Sequence, residues 1–514
     1  MNTPYLNDIE RLFGRESRIT IWRKLWYWLA QSQRHLGLMY VHPWSSELQH
    51  IDGRSLEQLR QCMVVIKSQT NDLFLKELTS DHKLDLRAQY HLVAQRDAPL
   101  SSPWLNLGVL PEYILENTEQ ILMRDALDIM NPKLAMVLNR LRDFATKNKS
   151  VNCVMFESDL DKRAWVTTIG ERVAAWSGML LPILTAFEST RLEIGSAGSQ
   201  PITASEQHSL DYCDKLSMVQ LFGGDRSKCE MLNELLRQEM GFNQCHARNY
   251  LEYRRRINAL LGSACEILGK QVLQIVDDLN HFDANDQMVE KRPRRDKQPA
   301  TARYPLLSQM LPLNVILKAA DPKWRQSGHL KRTAIALIDA STSFQNPQVS
   351  KTEGIDDYIM ARMFKHAARV VSVLDSIIQS LYCDSMSAHN LLYCELPFMI
   401  SGPVIDMMVV KGVNRADVQQ EFQRFAMLAC ARPEVMLPGS FYGRLSSPPF
   451  DRFRAEIQQI ISSVRNTEKS SRRVDEICGE RSELTKKLKP YVAYIEEIMS
   501  NAISNPGVRE SEGG

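Results

Sequence analysis

Apolar residues recur every three to four positions over stretches too long for anything but helices, and this period constrains the fold more than any other feature of the chain. Between residues 356 and 383, Ile359, Met363, Val370, Leu374, Ile377 and Leu381 share one face with no internal glycine or proline, which predicts a helix of about seven turns. The same period predicts helices over 20–38, 117–148, 167–194, 226–240, 247–281 and 452–467, with Pro132 and Pro182 starting or kinking theirs. Strand signals are few: Val151–Phe156 alternates briefly and can pair locally, but nothing resembles a parallel sheet alternating with helices. The expected class is all-α, with long helices gathered in a bundle.

At 514 residues, 44% of them hydrophobic and 24% charged, the chain can bury a large core. Sixty-three Lys and Arg against 61 Asp and Glu leave a net charge of +2, which gives no chain-wide field to draw nucleic acid or a membrane surface. No apolar run is expected to reach the roughly 18–20 residues of a membrane span, and the polar start Met1–Tyr5 carries no signal-peptide pattern. A cytoplasmic protein is expected. The basic run Lys291, Arg292, Arg294, Arg295 and Lys297 leaves nuclear import open, while nucleic-acid binding is not expected because no aromatic residues interleave it. Ten cysteines without a CxxC pair read as reduced, mostly buried thiols, with no metal site. Residues 195–206 read as an exposed loop, 290–305 as a basic proline-broken one, and the end of the chain as a tail.

The run from Ile21 to Leu38, Ile-Trp-Arg-Lys-Leu-Trp-Tyr-Trp-Leu-Ala-Gln-Ser-Gln-Arg-His-Leu-Gly-Leu, resembles the first long helix of adenylosuccinate lyases, in the fumarase/aspartase superfamily. Further similar stretches follow in the family's order. They are Glu116-Asn-Thr with Arg124-Asp-Ala-Leu-Asp and Pro132-Lys-Leu, Val166 to Arg172, Gln220 to Asp225, and Gly241-Phe. Glu395 to Met399, Lys411 to Arg415, Ser440 to Arg444 and Leu488 to Tyr491 complete the series. The resemblance implies a mostly helical, three-domain subunit, here 1–110, 111–355 and 356–500 with a tail at 501–514, that needs no cofactor and assembles as a homotetramer. It also implies β-elimination: a serine base and a histidine acid release fumarate from adenylosuccinate or its imidazole-carboxamide counterpart.

The positions that should carry this chemistry depart from the family pattern. The family's Thr-His-Phe-Gln-Pro-Ala-Gln falls on Asp159–Trp165 and puts Leu160 at the histidine. The serine loop falls either on Asp296–Pro305, keeping Arg303 and Pro305 but placing Asp296 or Lys297 at the base, or on Ser308–Pro312, leaving Ser308 as candidate base. The His-Leu-Gly-Ala-Thr-Ser turn falls on Asn106–Pro111, which keeps Gly108 and loses both hydroxyls. The Arg-His-Asp, Thr-Gly-Thr-Gln-Ala-Ser and Ser-Ala-Asn-Arg-Arg patterns fall near Leu84–Leu86, on Tyr212–Ser217 and on Asp356–Met360. Gly108, Asn117, Thr118, Thr167 and Arg303 remain as remnants of a substrate cleft. Two readings stay open: an inactive homologue acting as a scaffold, in its own oligomer or mixed with an active relative, or a working lyase whose acid and base have shifted. His246, beside Cys245, and His366 read as structural, Tyr253 and Arg254–Arg256 as a helix surface, and Trp22, Trp26 and Trp28 as packing.

Overall fold

A computed structural model describes residues 4–41, 46–63, 82–156, 164–197, 218–246, 250–284, 288–290, 326–345, 355–431 and 448–504. Fifteen helices longer than one turn follow in chain order among these residues. They are α1 (Pro4–Leu12), α2 (Arg15–His35), α3 (Gly53–Gln61), α4 (His82–Leu92), α5 (Pro111–Lys147), α6 (Ile169–Glu193), α7 (Arg226–Glu239) and α8 (Tyr250–Ala284). Then come α9 (Gln326–Gln345), α10 (Ile355–Ser380), α11 (Ser385–Val410), α12 (Arg415–Ala431), α13 (Arg454–Arg465), α14 (Glu468–Cys478) and α15 (Glu483–Ser504). Three two-stranded antiparallel ribbons complete the described elements: β1 (Met39–Val41) with β2 (Leu48–His50), β3 (Asn152–Phe156) with β4 (Ala164–Thr168), and β5 (Met288–Glu290) with β6 (Leu381–Cys383). The fold is mostly α, as the apolar period requires.

Two compact units share the chain, one formed by Met1–Leu134, Ile183–Lys270 and Thr333–Ser372, the other by Ala135–Pro182, Gln271–Arg332 and Val373–Gly514. The first has its core in Trp22, Leu25, Trp26 and Leu29 of α2, Ile114 and Leu122 of α5, and Phe364 of α10. Phe13 stacks on Phe364 at 5.4 Å between ring centres. Within this unit α8 and α9 approach closely because Gly262 and Gly269 carry no Cβ, which would sit 2.5 Å from Gln345 Cγ and 2.6 Å from Ile338 Cγ1. In the second unit Leu138, Leu141, Val173, Trp176 and Leu180 are buried. A separate cluster there joins Leu396, Ile400, Val404 and Met408 of α11 to Val418, Phe422, Ile457 and Ile461.

Three of the stretches that resemble the lyase family are one local device used three times. Gly37, Gly241 and Gly412 adopt φ of +72°, +71° and +88°. The next residue's N–H returns to a carbonyl five positions back: Leu38 to Gln33 at 3.0 Å, Phe242 to Arg237 at 3.0 Å, and Val413 to Met408 at 3.1 Å. Each is a left-handed glycine stop that satisfies the last carbonyls of a helix and turns an apolar residue back toward it. Gly223 and Gly224 likewise take positive φ, and Asp225 then caps α7, its Oδ1 accepting the N–H groups of Ser227 and Lys228.

Several expectations are corrected. Pro132 and Pro182 lie inside α5 and α6, which removes the first of their two expected roles, starting the helix, and leaves the second. The helix expected to reach residue 383 ends at Ser380, because Leu381–Cys383 pairs instead with Met288–Glu290. Gly195, Ser196 and Ala197 are buried, not an exposed loop, because side chains of α5 and α8 hold their backbone. The helix α15 runs to Ser504, four residues into the expected tail. Two helices, Glu252–Phe282 and Ser385–Val410, are long and apolar enough by composition to cross a membrane, against the expectation that none would be. The most apolar stretch of the first is 50% buried and that of the second 29%; Ser385–Val410 has only Glu395 and Asp406 as charged residues.

Candidate functional site

In the first unit, Tyr113, Glu116, Asn117 and Gln120 occupy positions i, i+3, i+4 and i+7 of α5, so they form one polar stripe on a single face of the helix. Asn117 is fully buried. Its Nδ2 donates to the carbonyls of Tyr113 at 2.8 Å and Ala197 at 3.3 Å, and its Oδ1 accepts the Ala197 N–H at 2.9 Å. That double bond to Ala197 pins the extended chain leaving α6. One residue pair away, the Tyr253 hydroxyl of α8 accepts the Gly195 N–H at 2.7 Å and lies 3.3 Å from Gln120 Oε1.

Ser196 pairs with Cys245 in a parallel bridge, the Ser196 N–H donating to Gln244 at 3.0 Å and the His246 N–H to Ser196 at 2.8 Å. Glycine is required at 195 because a Cβ would lie 2.6 Å from the Gln244 carbonyl oxygen and 2.7 Å from His246 Cδ2. The His246 ring stacks on Tyr253 at 3.6 Å and 14°. Three buried polar atoms of this junction have no hydrogen-bond partner among the described residues: Tyr113 Oη, Ser196 Oγ and His246 Nε2.

The junction disfavours charge. Burial pushes Tyr113 and Tyr253 up and His246 down, so both phenols and the imidazole stay neutral at pH 7. Burial also raises the Glu116 carboxyl to about 7, with Glu112 adding to the shift and Arg254 opposing it. Arg254 is engaged by Glu119 at 2.7 Å. Because Glu116 binds its proton more tightly folded than unfolded, its contribution is present at low pH and lost as pH rises from about 4.5 to about 7. Glu116→Gln is therefore expected to stabilise the protein at pH 8 by on the order of 1–3 kcal/mol, an advantage fading toward pH 5. Urea titrations of both proteins at the two pH values check this; an advantage independent of pH contradicts it.

The cleft remnants have structural employment. Gly108, at φ +75°, faces Leu221 Cδ1 and Met218 Cε, which a Cβ would meet at 2.5 and 2.9 Å. Thr118 donates to the Ile114 carbonyl at 2.6 Å within α5. In the second unit Thr167 donates to Glu171 Oε2 at 2.6 Å. Burial raises Glu171, but bonds from Ser470, Thr167 and Arg473 outweigh it and leave the carboxyl below its usual range. Ser308, Arg303, Leu160, Tyr212–Ser217 and the basic run from Lys291 to Lys297 lie outside the described residues. Met360, expected from the resemblance to stand at an arginine position, is 2% exposed.

Tyr253, expected on a helix surface, is buried, because its hydroxyl reaches inward to Gly195. The sequence reading passed over Tyr113, Ser196 and Gln120 as site residues; the signal available was the four-residue polar stripe of α5. Among the described residues no group of three or more His, Cys, Asp or Glu is placed to hold a metal ion.

No family model matches the chain. It is 23% identical to adenylosuccinate lyase of Schistosoma mansoni over 457 residues, 88% of this chain and 87% of that one. With adenylosuccinate lyase of Saccharomyces cerevisiae the identity is 25% over 430 residues, covering 82% and 81% of the two chains. Among solved structures, 3-carboxy-cis,cis-muconate lactonizing enzyme from Pseudomonas putida superposes with a TM-score of 0.65 at 11% identity, covering 94% of this chain and 98% of that one. Fumarate lyase from Mesorhizobium sp. BNC1 gives 0.59 at 13% identity, covering 92% and 98%. The long helices with their short ribbons thus share the fold of these two enzymes. Over most of its length the chain is similar to adenylosuccinate lyases, at 23–25% identity.

Proposed function

We propose that this chain is a catalytically inactive homologue of adenylosuccinate lyase, acting as an interaction or regulatory scaffold. The carrying observation is the state of the remnants. Asn117, Thr118 and Thr167 keep the family's residue types, yet each gives its polar group to a neighbour in the fold. Around Gly108, Val109 and Leu110 follow where the family has an alanine and a hydroxyl, and Pro111 replaces the second hydroxyl. Without those groups a substrate carboxylate has no partner there, and sites built on hydrogen bonds lose their selectivity when the bonds go.

Assembly as a homo-oligomer, a tetramer by resemblance, belongs to the same proposal. Leu260 and Ile267 lie seven residues apart on α8 and are 43% and 46% exposed, and Ile335 of α9 is 51% exposed. Large apolar side chains at that spacing on helices suit burial against another subunit. A cytoplasmic location is proposed with it.

The test is fumarate release from adenylosuccinate by the purified chain, its mass fixed by light scattering, beside an active adenylosuccinate lyase. Absence of turnover from a folded tetramer is expected; turnover well above background overturns the proposal. The alternative, an active fumarate-releasing lyase, draws support from Glu116, whose carboxyl at about 7 suits proton transfer near neutral pH. Were turnover seen, its loss in Glu116→Gln would assign the proton to that residue.

A further inference from the structure

We draw no further inference here: the strongest candidate, the outward apolar face of α11, where Phe398 and Val410 are 38% and 86% exposed and nothing lies within 4 Å of a Cβ at Gly402, carries nothing because nothing in the structure shows what covers it.

Discussion

Asp97→Asn is expected to destabilise the first unit by about 3–5 kcal/mol, because it leaves a buried arginine without its counter-charge. The Arg23 side chain is 2% exposed and Asp97 7%, with Nη2 to Oδ2 at 2.9 Å. Nη1 donates to the Cys62 carbonyl at 2.9 Å, and Nη2 also donates to Gln89 Oε1 at 3.3 Å. Neither neutral partner can replace a carboxylate. Asparagine keeps the shape of aspartate, so the cost comes from charge alone, and it is read as a shift in the urea midpoint at unchanged slope. Arg23→Met on the Asp97→Asn background should recover part of the loss, since removing both charges also removes the buried one. Equal midpoints for wild type and Asp97→Asn would show that water reaches Arg23.

Gly170→Ala is the second large effect. A Cβ there would lie 2.5 Å from the Ala145 carbonyl oxygen and 2.6 Å from Lys149 Cα. Both are backbone atoms and cannot swing aside as a side chain end can. The Gly170 N–H meanwhile donates to the Asn148 carbonyl at 3.1 Å, locking the start of α6 against the end of α5. Overpacking at such a contact costs about 1–3 kcal/mol, and more where the backbone itself must move. Thermal melts of Gly170→Ala beside Gly178→Ala separate the causes, because nothing lies within 4 Å of a Cβ at Gly178. A substantially lowered melting temperature is expected only for Gly170→Ala.

Arg23 and Gly170 fall in stretches that resemble the adenylosuccinate lyases, and their roles explain why such stretches could be recognised at all. Trp22 and Trp26 are core residues beside Arg23, 1% and 2% exposed. Gly37, Gly241 and Gly412 stop helices, and Gly108 and Gly170 allow close approaches. These demands are made by backbone geometry and volume, so the same residue types are needed whether or not the chain turns over substrate. Polar side chains that serve only chemistry carry no such demand.

The apolar period located α5, α6, α7 and α8 to within a few residues, and the brief alternation at Val151–Phe156 marked β3, because these signals are carried by neighbours in the chain. The partner of β3 was less legible. Ala164–Thr168 reads as the approach to a helix and becomes a strand only through its register with Asn152–Phe156. Leu381–Cys383 is the same case, continuing a helical stripe until Met288–Glu290 offers its backbone hydrogen bonds.

By itself the sequence determined the helical class and the similarity to the lyases, since both follow from local propensity or from residue types in order. Only the tertiary structure decided that Asn117 holds Ala197, that Tyr253 turns inward, and that Ser196 and Cys245 meet. Those contacts join residues 49 to 80 positions apart. Whether a buried polar group finds a partner depends on what the folded chain brings beside it, which no run of neighbouring residues encodes.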